Sequence, residues 1–304
     1  KNAGNGKTVT VSTLLGNGGG GGLASNYTLA DTSVMANITQ KALTVSGMTA
    51  GTRAYDGTTA ATLAGGSLTG LVTGETLVVS GGSGAFGDKN AGNGKAVTVS
   101  GVSLADGTGL ASNYTVSNPT DVTGSITQKV LSVTGALAAD KTYDGAEGAT
   151  ITGGTLNGLV GSETVGLADL AGAFADKNAG SGKAGSVTGG TLSNGSNGGL
   201  ASNYTVSNPS GLTASITAKA LTVTGQLAGN KVYDGNAEAS LSGGALSGLV
   251  ASESLGLAGQ TATFADKNAG TAKTVTVTGT TLVDTASGLA SNYTVSNPSG
   301  LTAS

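Results

Sequence analysis

The chain has 304 residues, 55 of them glycine, with 10% charged and 3% aromatic side chains and a formal net charge of -3, which is unlike an ordinary globular enzyme. The weak acidic balance and a single arginine, Arg53, exclude the clustered basic surface that phosphate neutralisation needs, so no nucleic-acid partner is expected. With neither histidine nor cysteine, Ser-His-Asp and thiolate catalysis and the usual zinc sets are excluded, and no run of 18 apolar residues is present to insert into a membrane.

In chain order, "KNAGNGK" opens the sequence at Lys1, followed by the alternating stretch "KTVTVS" (7–12), a glycine-rich tip, "SNYT" around Tyr27 and "ITQKAL" from Ile38. Valines at every second position with Thr or Ser between them predict a half-buried antiparallel strand. "LTVSG" from Leu43 predicts the next strand, and "YDG" comes after it at Tyr55, Asp56 and Gly57. "GLVTGE" (70–75) fits a short helical turn; Phe86 comes two residues before "DKNAGNGK", and "KAVTVS" (95–100) and "NYTVS" give further strands.

The series then repeats. YDG returns at Tyr143, Asp144, Gly145 and at Tyr233, Asp234, Gly235, and the KNAG lysine falls at 1, 89, 177 and 267. From the YDG tyrosine to the KNAG lysine the spacing is constant in all three copies (55 to 89, 143 to 177, 233 to 267), whereas the KNAG-to-NYT stretch varies in length. A constant spacing marks a rigidly specified half, and a variable one marks a loop tip.

The expected domains are 1–40, the C-terminal half of a repeat module; 41–128 and 129–218, two full modules; and 219–304, a module without its last strand. Both ends fall inside a module, so the ends are expected to be supported by flanking chain or neighbouring molecules. All seven tyrosines and three phenylalanines occupy repeat positions, and a trio of buried aromatics, each removing roughly 150–250 Å² from water, is the expected anchor of each small core. At the junctions, Ile38, Ile126 and Ile216 have the opposite parity to Leu43, Leu131 and Leu221, so one strand is expected to place its isoleucine in one core and its leucine in the next. No Gly or Pro interrupts these linkers, which predicts stiffness.

Several motifs are candidate sites. "GNGKT" (4–8) lacks the upstream glycine of a phosphate-binding loop, so a tight turn is preferred. The carboxylates Asp56, Asp144, Asp234, Glu75, Glu163, Glu253, Asp88, Asp176 and Asp266 lack the spacing of known calcium loops, and turn formation is preferred for them; no metal and no cofactor is expected. Asn26, Asn113, Asn203 and Asn292 lie in N-x-T sequons, as Asn37 and Asn194 lie in sequons, against the reading that Asn shapes the turn entering a strand. A Lys-Asn crosslink promoted by a carboxylate is a further candidate, because each module carries these residue types.

Taken together, "KTYDG", "GLVGSE", "FADKNAGSGK", "GLASNYTVSNP" and "ITAKALTV" resemble the YDG-type repeats of very large bacterial surface exoproteins, including filamentous-haemagglutinin-like adhesins exported by two-partner secretion. The resemblance covers essentially the whole chain. It implies a non-enzymatic, extracellular stalk or fibre at the bacterial cell surface, serving adhesion or biofilm formation. The expected fold is all-β: a tandem array of small β-sandwich or β-grasp-like modules forming an extended rod. Expected partners are extracellular matrix polysaccharide, a host or bacterial surface, or sister fibres. The alternatives are that the repeats themselves bind glycan or matrix polysaccharide, or that they self-assemble laterally into a filament.

Overall fold

The computed structural model describes all of residues 1–304. The chain is all-β, its only helical elements being three-residue 3-10 turns such as Ala111–Asn113. It divides into two compact units, Lys1–Lys129 with Ser202–Tyr204, and Val130–Ala201 with Thr205–Ser304.

The first unit contains one full module. Its strands are β1 Lys41–Ala50, β2 Arg53–Ala54, β3 Ala60–Ala61, β4 Leu63–Thr69, β5 Leu77–Phe86, β6 Gly92–Asp106, β7 Tyr114–Val116 and β8 Thr123–Thr127. They form two mixed sheets, one of order β4-β1-β7 and one of order β2-β8-β6-β5-β3. β1 runs parallel to β7, pairing Lys41 with Tyr114 and Leu43 with Val116, and antiparallel to β4. β8 takes β2 in parallel on one edge and β6 antiparallel on the other.

The residue pattern explains β1. Leu43 and Val45 alternate inward as the strand period requires, and Gly47 then adopts a positive φ of 69°. That step shifts the pleat by one residue, so the next buried side chain is Met48 rather than Gly47. Opposite it, a Cβ on Gly65 would lie 2.9 Å from the Gly47 carbonyl oxygen, so the close approach of the strands requires Gly65, whereas Gly47 has open space around it and is favoured by its positive φ. The same glycines recur at 135 and 153 and at 225 and 243, with positive φ at each.

"GLVTGE" does not form a helix. A single turn closes there through Glu75 N–H donating to the Val72 carbonyl. The flanking glycines Gly70 and Gly74 both have positive φ, which prevents a second helical turn.

Residues Gly4–Val11 and Thr32–Ile38 form a separate antiparallel pair. Val97, Val99 and Ile126 in the full module are buried, whereas their counterparts Val9, Val11 and Ile38 are exposed. The pair buries no residue: no strands equivalent to β1 and β4 cover its apolar face, and none equivalent to β2, β3 and β5 extend its sheet.

The second unit repeats the two-sheet plan. In its last module, Ala228 and Leu241 from the three-stranded sheet pack on Ala262, Phe264, Val275, Val277 and Ala303 of the other sheet. This is a two-layer β arrangement without the helix of a β-grasp.

The junction inside this unit corrects one expectation. Ile216 and Leu221 do not enter separate cores: they belong to one cluster with Tyr143, Phe174, Ala214 and Tyr293. The strands Thr213–Thr217 and Lys219–Ala228 are separated by Ala218, and that one-residue break reorients the pleat. The opposite parities therefore aim at the same core.

Candidate functional site

The recurring motifs meet at the module junction, resolved most fully inside the second unit. Tyr143, from YDG of one module, and Tyr293, from SNYT of the next, pack edge to face with ring centroids 5.3 Å apart and an interplanar angle of 79°. Such pairs contribute about 0.5–1.5 kcal/mol beyond the area they bury. Both hydroxyls donate to one carboxylate: Tyr143 to Glu253 Oε1 at 2.6 Å and Tyr293 to Glu253 Oε2 at 2.6 Å. Lys177 of the KNAG loop adds an ion pair to Oε1 at 3.3 Å.

The electrostatics stem from this arrangement. Burial pushes Glu253 up, but hydrogen bonds from Tyr143, Tyr293 and Lys177 outweigh it and hold the carboxyl below its ordinary range. Burial first, and then the hydrogen bond to Glu253 and its charge, push both Tyr143 and Tyr293 up to about 12. Glu253 is thus an ionised acceptor shared by two neutral phenols.

Beside it lies a second contact of equal regularity. Asn292 Oδ1 accepts from the Ala179 amide at 2.8 Å while its Nδ2 donates to Asn178 Oδ1 at 3.0 Å. Asn203 makes the same pair with Ala91 and Asn90, and Asn113 makes it with Ala3 and Asn2. The KNAG loop of one module therefore clasps the SNYT asparagine of the module after it. Tyr55 and Tyr204 repeat the edge-to-face contact at 5.3 Å, and the Tyr114 hydroxyl donates to Glu75 Oε2 at 2.6 Å.

Local geometry positions each motif. The short 3-10 turns Ala111–Asn113, Ala201–Asn203 and Ala290–Asn292 each end at the asparagine and hand on to the tyrosine that starts a strand. In KNAG, the aspartate before the lysine caps the turn: Asp88, Asp176 and Asp266 each accept an N–H from the asparagine two residues on and pair with Lys95, Lys183 and Lys273. In YDG, Asp144 accepts the Ala146 amide and the Lys141 ammonium, and Gly145 supplies the positive φ of 80°. A Cβ on Gly145 would stand 2.8 Å from Val250 Cγ1 of the next module.

The nine carboxylates that were candidate calcium ligands are dispersed among separate duties, and no group of three acidic side chains converges. Lys177 meets Glu253 rather than an asparagine side chain and is about half exposed, the geometry of a salt bridge and not of a buried crosslinking lysine. Of the four NYT sequons, Asn203 and Asn292 are buried with their amides engaged in the joint, so a glycan on either nitrogen would have to displace the packing around it. Asn113 is partly buried and bonded, and Asn26 is exposed. Among the YDG tyrosines, Tyr55 and Tyr143 are buried and Tyr233 is exposed.

One set of residues escapes the motif reading. Arg53, Lys141 and Lys231, each two residues before a YDG tyrosine, pair with the YDG aspartate and lie 5.6, 5.7 and 5.8 Å from the centroids of Phe86, Phe174 and Phe264. The signal in the sequence is a basic residue at a fixed offset in all three copies.

The site is thus an interlock in which each module contributes one face to its predecessor and another to its successor, the mark of a tandem-repeat array. The YDG domain family matches residues 39–122, 127–211 and 217–300; the chain belongs to this family. No curated protein and no solved structure matches the chain.

Proposed function

We propose that the chain is a non-enzymatic stalk segment of a bacterial extracellular adhesin, holding a distal binding region away from the cell surface for adhesion or biofilm formation. The observation that carries this reading is the interlock: Tyr143, Lys177 and Asn178 of one module grip Glu253, Asn292 and Tyr293 of the next. A joint with a shared apolar core, a carboxylate only 11% exposed and a carboxamide clasp resists bending far better than a Gly/Ser tether. The motif residues go into structure, leaving the repeats as spacers rather than receptors.

Small-angle X-ray scattering on residues 1–304 tests the proposal. A rod-like distance distribution that is independent of concentration is expected. A compact profile, or one of flexibly linked beads, would overturn the stalk reading and favour modules that act as separate binding units.

A further inference from the structure

One interior position differs in kind between the modules. Met48, Ala136 and Gln226 occupy equivalent places and all are buried. The Met48 methyl fills the space beside Gly66, and the Gln226 amide fills that beside Gly244. In the second module Leu170 of the other sheet reaches over the small Ala136 to fill the space beside Gly154. Gln260 stands where Leu170 does. Gln226 Nε2 donates to Gln260 Oε1 at 3.2 Å, while Gln260 Nε2 donates to Gln226 Oε1 at 3.0 Å and to Thr280 Oγ1 at 3.4 Å. Apolar side chains serve in both sister modules, so the fold itself does not call for an amide pair here. A carboxamide offers two N–H groups and two acceptor lone pairs. Gln226 therefore keeps one of each unused, and Gln260 keeps one lone pair.

The two amides line a cavity of about 570 Å³ together with Ala239, Leu241, Ala262 and the exposed Glu238, and no lysine or arginine borders it. The place lies away from the joint: Gly148, the counterpart of Glu238, has open space around it in a module whose joint is complete. We propose that this cavity, built by Gln226, Gln260 and Glu238, binds a neutral saccharide unit. The unused donor and acceptors of the amide pair match neighbouring hydroxyls, each of which donates and accepts at once. The Glu238 carboxylate takes a further hydroxyl hydrogen, and the apolar surfaces of Leu241 and Ala262 take the C–H face of a pyranose ring. A carboxylate with no cation beside it in the cavity repels an anionic ligand. The counterparts of Glu238 in the other modules are Ala60 and Gly148, so the site belongs to this module alone.

Saturation-transfer difference NMR on the full 304-residue chain, with the methyl glycosides of glucose, galactose, mannose and N-acetylglucosamine as probes, tests this. Transfer to the ring protons of at least one glycoside is expected. Gln226→Ala combined with Gln260→Leu installs the second module's pair, which the fold already holds. It should weaken binding about tenfold or more, the loss of hydrogen bonds to the sugar, with thermal melting no lower than the parent's. Glu238→Ala, at an exposed position, should weaken binding with unchanged melting. No transfer to any of the four glycosides, transfer that the paired substitution leaves unaltered, or equal transfer to glycerol would overturn the proposal. The site uses none of the recurring motif residues, so its failure would leave the stalk role standing, and the scattering profile bears on that role alone.

Discussion

Tyr143 and Glu253 lie in successive modules, yet the phenol hydroxyl of one sits 2.6 Å from the carboxylate of the other. That carboxylate also holds Tyr293 and Lys177, so a single acidic side chain ties together three motifs from two modules. Glu253→Gln keeps one carbonyl acceptor but loses the charge and the second acceptor. A loss of about 1.5–3 kcal/mol in unfolding free energy is expected, the range for charge-assisted bonds, measured as a shift in the urea midpoint. Glu253→Leu, which strands two buried hydroxyls, should cost more.

The carboxamide clasp makes a paired prediction. Asn292→Ala leaves the Ala179 amide and Asn178 Oδ1 without their partner, at a cost of about 1–3 kcal/mol. Asn26→Ala, in the same motif but exposed, should stay within about 0.5 kcal/mol of the parent. Equal effects from the two substitutions in chemical denaturation would contradict the clasp.

The joint should weaken at both ends of the pH scale. Glu253 is held below its ordinary range in the folded state, so its contribution is present above the unfolded carboxyl pKa and is lost as pH falls through the folded one. Tyr143 and Tyr293 move the other way, from 10.0 to about 12. Their contribution is fully present below 10.0 and is lost as pH rises toward about 12. Melting temperature against pH should therefore fall at acid and again above 10.0, and Tyr143→Phe should blunt the alkaline limb.

Two glycines with nearly the same backbone separate strain from contact. Gly145 and Gly235 have φ of 80° and 84°, but an added Cβ meets Val250 only at Gly145, the space around Gly235 being open. Gly235→Ala should cost about 1–2 kcal/mol from the left-handed conformation alone. Gly145→Ala should cost measurably more in thermal unfolding, and the difference reports how closely the two modules approach.

Much of the fold was legible because it is periodic. The alternating valines of "KAVTVS" gave part of a longer strand, Gly92–Asp106, and the fixed aromatic positions gave Phe86, Tyr114 and Tyr143 as buried anchors but not Tyr27 and Tyr233, which are exposed; nor is the trio confined to one module, since Tyr143 and Phe174 share their core with Tyr293 of the next. The joint itself was not legible, for a physical reason. KNAG and SNYT recur in every module, so their periodicity is the same whether Asn178 meets the asparagine of its own module or that of the next. The structure pairs Asn178 with Asn292, in the next. The parity at Ile216 and Leu221 misled in a related way: it recorded a change of pleat but not the break at Ala218 that cancels it.

The offset between partners also bears on how such a chain changes length. Every full module carries a YDG–KNAG face for its successor and a Glu–SNYT face for its predecessor, so any module can be a neighbour to any other in the same order. Unequal recombination between two copies would delete or duplicate a whole period wherever the crossover fell, and each new seam would still join a KNAG loop to an SNYT asparagine. The length of the array would then change in single-module steps, with no new interface to evolve.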